Sequence, residues 1–263
     1  MRKSNFVRYI KRQLSEPYKS ILRDFYYSYL RWVSSLTETK ITPLPKKVKH
    51  IPSLRFRYDF FQAAQMFLQV NRIDGSYLEF GSHEVNTFRM ALNTLGKYNK
   101  PNDISHFWAF DSFSGMPEPE GIDKQKIWRV SMNFTSEENF QKTVRRDAHR
   151  VSTVKGFYSD SLLGFTLPSN QWPALVYIDC DYYSSTVDVL NWVGPYLRHG
   201  CLIAFDDWDC YFGDDNRGQR LAFREFREAL VGKFQFTEFM KINSGGMSFI
   251  CLEVSKIGSN FEG

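Results

Sequence analysis

Two short acidic segments hold the residues most able to do chemistry: Asp179-Cys180-Asp181 after Tyr177-Ile178, and Asp206-Asp207 after Phe205. Each follows an apolar run, so all four carboxylates fall where a buried strand opens into a loop. If the two strands are neighbours, four negative charges meet at one mouth. They repel one another unless some are protonated or a cation lies between them. A divalent cation is the economical answer. Its ligands would all be oxygen, because none of the five histidines lies in these segments, and Cys180 should point away from its neighbours on an extended strand. Hard oxygen donors suit magnesium or manganese better than zinc. The competing reading is a set of capping or solvated acidic loops, since carboxylates are common at strand-to-helix junctions.

Two more apolar runs end in polar residues. The first reads Leu78-Glu79-Phe80-Gly81-Ser82. A glycine there lets the backbone approach a ligand closely, and Glu79 could accept a hydrogen bond from an ammonium group. The other glycines of G-x-G-x-x-G are missing, so a helix-initiating turn explains this segment equally well. The second end, Phe110-Asp111-Ser112, follows about thirty positions later. A carboxylate at that place is the usual means of holding a pair of ribose hydroxyls, with helix capping as the alternative.

These residues need a scaffold that brings strand ends together. Apolar runs at 77–80, 107–110, 151–154, 175–178 and 202–205 alternate with helical segments, the first of them following a helix-like stretch at 58–70. Such runs, each leading into an acidic or glycine-containing loop, are strands buried on both faces of a parallel sheet. The last two runs, 234–242 and 247–254, are separated only by Asn243-Ser244-Gly245-Gly246. So short a glycine-rich link makes an antiparallel hairpin, not a crossover. The expected fold is therefore α/β, a Rossmann-like parallel sheet of the class I methyltransferase layout, with helices on both faces and an antiparallel C-terminal hairpin.

A helical N-terminal arm precedes it. Apolar residues from Ile21 to Leu36 recur at three- and four-residue steps, Pro17 separates them from a shorter basic helix at 6–14, and 42–52 reads as a Pro/Lys-rich linker. The boundary is placed between an arm at 1–54 and a catalytic domain at 55–263. Residues 1–57 carry fourteen Lys or Arg against three Asp or Glu, which leaves the rest of the chain net acidic. An acidic body argues against a nucleic-acid groove. The arm could be solvated, form a dimer contact or a lid, or meet anionic membrane headgroups.

At 263 residues with 43% hydrophobic and 24% charged residues, the chain can bury a substantial core. Cys180, Cys201, Cys210 and Cys251 show no zinc spacing and read as reduced thiols of a cytoplasmic protein. Neither a signal peptide nor an apolar stretch of the ~20 residues a membrane span needs is apparent. The expected location is cytoplasmic, with peripheral membrane attachment as the alternative.

The chain resembles the macrocin O-methyltransferase family, whose members methylate sugar hydroxyls. The likeness spans roughly 58–254 and rests on Leu-Glu-Phe-Gly at 78–81, Phe-Asp-Ser-Phe-Ser-Gly-Met-Pro at 110–117, Lys-Gly-Phe-Tyr at 155–158, Tyr-Ile-Asp-Cys-Asp-Tyr-Tyr-Ser-Ser-Thr at 177–186 and Phe-Asp-Asp-Trp at 205–208. Gly218-Gln219-Arg220, with Ala222 and Phe226, extends it. The resemblance implies S-adenosylmethionine and Mg2+ as cofactors. It puts Glu79 and Gly81 at the methionine part of the former, Asp111 and Ser112 at its ribose, and Gly156 and Phe157 near its adenine, with Ser82 also in the cofactor site. Asp179, Asp206 and Asp207 would bind the metal, and Asp179 or Asp181 would take the proton from the acceptor hydroxyl. The departure is Val85-Asn86, near which relatives often have a further glycine.

The expected partners are a hydroxylated small molecule or glycan and a second copy of the chain. Segments 116–134 and 208–218 are candidate substrate lids, with Trp128, Trp208 and Tyr211 as sugar-stacking rings; the alternative is surface loops pinned by one buried aromatic. Rival functions are methylation of a catechol-like phenol or an amine, and a non-catalytic scaffold retaining the fold. The presence of all four carboxylates weighs against the scaffold.

Overall fold

The computed structural model describes residues 52–95, 104–124 and 134–257. The chain divides into two compact units, Met1–Pro45 and Lys46–Gly263, and every described residue belongs to the second. Apart from residues 52–54, the expected arm lies outside the described residues, as does Trp128.

Each apolar run forms a strand: β1 Ser76–Phe80, β2 His106–Asp111, β3 Val151–Lys155, β4 Pro173–Ile178 and β5 Leu202–Phe205, followed by β6 Phe234–Lys241 and β7 Met247–Glu253. They make one seven-stranded sheet in the order β3-β2-β1-β4-β5-β7-β6. The first five pair in parallel, whereas β7 runs antiparallel to both β5 and β6. A link of five residues, 242–246, is too short to cross the sheet, which is why the chain turns back there.

Side-chain alternation divides the sheet between two cores. Tyr77, Phe107, Leu175, Tyr177, Leu202 and Ala204 face one, while Leu78, Phe80, Phe110, Val176, Ile178, Ile203 and Phe205 face the other. The first core is closed by helices α1 Pro52–Val70, α2 Asn86–Thr94 and α3 Glu137–Val144, through residues such as Phe60, Phe61, Phe88 and Phe140. After the single turn α4 Tyr158–Ser161, helices α5 Tyr183–Val193 and α6 Gly218–Ala229 close the second with Val189, Leu190, Phe223 and Phe226. Helix α1 starts at Pro52, six residues before the apolar periodicity that marks it in the sequence. Proline is well tolerated in a first helical turn, where its missing N–H has no partner to lose. Among the described residues no helix is long and apolar enough to cross a membrane.

From β1 the chain builds outward through β2 and β3, then returns to the other side of β1 to build β4 and β5. The reversal lies between β1 and β4, where open α/β sheets carry their ligands beyond the carboxyl ends of the strands.

Candidate active site

The parallel ladders run on past the strand ends and fix the first residue of each loop. Gly156 N–H donates to the Asp111 carbonyl at 3.0 Å, Gly81 N–H to Phe110 at 2.9 Å, Asp179 N–H to Phe80 at 2.8 Å and Asp206 N–H to Ile178 at 2.9 Å. Five residues singled out in the sequence thus stand side by side along one edge. They border a cleft of about 1030 Å³ lined by Gly81, Ser82, Asp111, Ser112, Gly156, Phe157, Asp179, Asp181 and Asp207, among others.

Gly81 has no room for a side chain. Its φ is +91°, and an added Cβ would lie 1.9 Å from the Asp179 carbonyl oxygen. The closeness of the β1 and β4 loops therefore depends on that glycine. The next turn is left-handed without glycine, at Glu84 (φ 53°) and Val85 (φ 59°). For a β-branched residue this is an outlier, costing about 1–2 kcal/mol. The fold keeps the turn here although the sequence departs from the glycine expected nearby.

Asp111 joins two loops: its Oδ2 accepts from Ser82 N–H at 2.7 Å and its Oδ1 from Phe113 N–H at 2.7 Å. Burial raises its pKa, and these two hydrogen bonds oppose the rise. Ser112 Oγ donates to the Gly115 carbonyl at 2.7 Å and so braces the second loop. Glu79 stands outside the cleft wall. It is wholly buried, with Oε2 accepting from the Tyr77 hydroxyl; among the described residues Oε1 and the buried Ser82 Oγ make no hydrogen bond of good geometry, though Ser82 is near enough to favour the charged form of Glu79. Burial pushes Glu79 up to about 8. Gly156 and Phe157 lie at the other side of the cleft, the Phe157 ring 40% exposed.

At the β4 and β5 ends, one carboxylate oxygen from each of Asp179, Asp206 and Asp207 comes within 4.8 Å of the others. This is the trio that the family resemblance implies. Burial, then the negative charges of Asp206 and Asp207, hold Asp179 well above the usual carboxylate range. Burial and the charges of Asp181 and Asp206 do the same to Asp207. Such a group gains from any cation that enters it. Asp181, at a left-handed φ of 60°, donates its N–H to Asp207 Oδ2 at 3.1 Å, so the two acidic loops are tied together. Cys180 is among the residues of the cleft lining, and its Sγ lies 3.5 Å from Thr186 Oγ1 with the side chain packed against the second core.

Several contributors escape the sequence reading. Arg57 of α1 grips Asp206 with two nitrogens, Nε to Oδ1 at 2.9 Å and Nη2 to Oδ2. The Tyr177 hydroxyl and Asn243 Nδ2, the latter at 2.8 Å, also donate to Asp206 Oδ1. Gln219 of α6 accepts from Asp207 N–H at 2.9 Å and donates to the Ile178 carbonyl at 3.2 Å, bracing both acidic strand ends. Asp123 accepts from the N–H groups of Tyr183 and Ser184 at 2.7 and 3.2 Å, so a loop over the cleft caps α5. Tyr177 and Gln219 fall inside quoted motifs, and the glycine-rich turn marks Asn243, but nothing local marks Arg57 or Asp123.

The stacking rings are placed otherwise than expected. Trp208 packs among Phe205, Phe223 and Phe249 at 5.0–5.8 Å in the second core. Tyr211 is buried against Gly218, and neither ring is part of the cleft wall.

Among solved structures the fold is similar to the O-methyltransferase NovP, with a TM-score of 0.58 and 20% identity over 74% of this chain and 79% of that one. It is also similar to CalS11, a calicheamicin methyltransferase, with a TM-score of 0.57 and 20% identity over 84% and 90%. An apo structure of CalS11, described as a TDP-rhamnose 3′-O-methyltransferase, gives a TM-score of 0.50 at 20% identity over 84% and 92%. None of the curated proteins compared with the chain matches it. The family model of macrocin O-methyltransferase (TylF) matches residues 50–233, which takes in both acidic loops and the whole cleft edge. The chain belongs to the macrocin O-methyltransferase family and is an O-methyltransferase.

Proposed function

We propose that the protein transfers the methyl group of S-adenosylmethionine to a hydroxyl of a sugar-bearing acceptor, with a magnesium ion held by Asp179, Asp206 and Asp207. The observation that carries this reading is the convergence of three carboxylate oxygens within 4.8 Å of one another, beside a cleft at the switch point of the sheet. An all-oxygen donor set with two strongly raised carboxyl groups fits a hard divalent cation. When bound, such an ion lowers the pKa of a coordinated hydroxyl. A sugar acceptor accords with the family and with the description of CalS11 as a TDP-rhamnose 3′-O-methyltransferase.

The cleft lining divides the labour. Asp111 and Ser112 hold the ribose of the methyl donor, Gly156 and Phe157 flank its adenine, and Gly81 and Ser82 receive its methionine end. Ser82 lines the cleft at that end, with Glu79 buried behind it. Acidic walls favour the cationic sulfonium over the neutral thioether left after transfer. A bound donor would supply the methyl group, its carbon–sulfur bond breaking as the bond to the acceptor oxygen forms, and Asp179 or Asp181 would take the acceptor's proton. For the basic arm at 1–54 we retain a contact with a second copy of the chain, or with an anionic membrane surface.

Transfer of labelled methyl groups to glycosylated acceptors and to a simple catechol tests the reading. Sugar-bearing acceptors should be methylated, and Asp179→Asn should lower kcat by about 10²–10⁴-fold. Turnover of the catechol alone would move the substrate class to phenols, and an unimpaired Asp179→Asn would remove the proton-transfer role.

A further inference from the structure

The acidic trio is not uniform. Asp206 accepts four side-chain hydrogen bonds, three at Oδ1 from Tyr177, Arg57 and Asn243 and one at Oδ2 from Arg57. Asp207 accepts at Oδ2 from the Asp181 N–H and at Oδ1 from the Cys210 thiol at 3.7 Å, and Asp179 accepts none among the described residues. Each carboxylate oxygen offers about two lone-pair sites, so Oδ1 of Asp206 is saturated and Arg57 already occupies Oδ2. Oδ2 keeps about one site beside Arg57, so the guanidinium crowds the lone pairs through which Asp206 would ligate an ion without filling them.

We propose that Arg57 is the built-in counter-cation of the acidic centre and competes with the divalent ion for Asp206, so that metal loading is an exchange of guanidinium for metal. The inference rests on the metal assignment above. A forked guanidinium matches one carboxylate in two parallel bonds but neutralises a single charge. Asp179 and Asp207 feel the same single charge without sharing its hydrogen bonds, and a divalent ion among the three compensates more. The backbone of α1 need not move for the exchange. Phe60 and Phe61, one turn beyond Arg57, are buried against Tyr177 at ring distances of 6.3 and 5.8 Å. Arg57 itself lines the open cleft with its side chain 19% exposed. Rotation of its long side chain into the cleft frees Asp206 and leaves the helix seated.

The exchange gives Arg57 a role opposite to that of a support. A residue that merely orients Asp206 strengthens metal binding, whereas a competitor weakens it. Mn2+ binding to the metal-free full chain, followed by loss of the free-ion EPR signal, separates the two. Arg57→Met keeps the length without the charge and should bind Mn2+ about tenfold more tightly than wild type. Arg57→Lys, with a charge but no fork, should fall between. A saturable wild type with equal or weaker binding by Arg57→Met would overturn the exchange while leaving the metal assignment standing. No saturable Mn2+ binding by wild type would overturn both. Should Arg57→Met fail to fold, crystals of wild type grown with Mn2+ decide: Asp206 on the ion with Arg57 out of hydrogen-bond reach is the expected result, and an ion bound with the Arg57–Asp206 pair intact contradicts it.

Discussion

Glu79 is a carboxyl group with no exposed surface, one oxygen satisfied by Tyr77 and the other without a well-formed hydrogen bond among the described residues. Burial raises its pKa from 4.5 to about 8. A carboxyl whose folded pKa exceeds its unfolded value is stabilising when protonated, so that contribution is full below 4.5 and is lost as pH rises toward 8. Thermal unfolding of the metal-free protein followed from pH 4.5 to 8 should therefore show a declining Tm, and Glu79→Gln, neutral throughout, should flatten the decline. An equally steep decline in the variant would show that Glu79 is ionised in the fold. At this scale the sequence is informative about the acids and silent about their partners. Asp179, Asp206 and Asp207 each follow an apolar run, which is a local signal. Arg57 and Asp206 are 149 positions apart and Asn243 and Asp206 are 37 apart, so no spacing rule links them. The Tyr77–Glu79 pair is the exception, since residues two apart share a strand face and the pairing could have been read directly.

At the scale of elements, loops are held by strand ends and by a few backbone positions that admit no alternative. Gly81 is the sharpest: a Cβ there meets the Asp179 carbonyl at 1.9 Å, and φ is +91°. Gly81→Ala should lower stability by about 3 kcal/mol or more, from overpacking and backbone strain together. Denaturant unfolding measures this directly, and a change below about 1 kcal/mol would mean that the β1 and β4 loops separate without penalty. All seven strands were legible, because strands buried on both faces write uninterrupted apolar runs and the hairpin has its own glycine-rich turn. The start of α1 was not, because Pro52 reads as a linker residue until its position in a first turn is known. Trp208 shows the limit of composition: an aromatic beside an acidic loop could face ligand or core, and its neighbours Phe223 and Phe249 come from a distant helix and strand. The left-handed Val85 has no signal in its residue type, which disfavours that conformation.

For the molecule as a whole, function follows from where the sheet reverses direction. Every catalytic, cofactor-binding and metal-binding residue forecast from sequence except Glu79 and Asp206 lines one cleft there; Glu79 is buried beside Tyr77, and Asp206 is held by Arg57, which itself lines the cleft. The cleft is acidic, which suits a cationic methyl donor and a divalent ion together. Its central requirement is the donor, whose ribose we propose Asp111 holds. Calorimetric titration of S-adenosylmethionine into the full chain with Mg2+ present addresses that requirement most directly. Saturable one-to-one binding, weakened about tenfold or more by Asp111→Asn, is the result expected. Absence of binding by the folded wild type, or binding indifferent to Asp111, would contradict it.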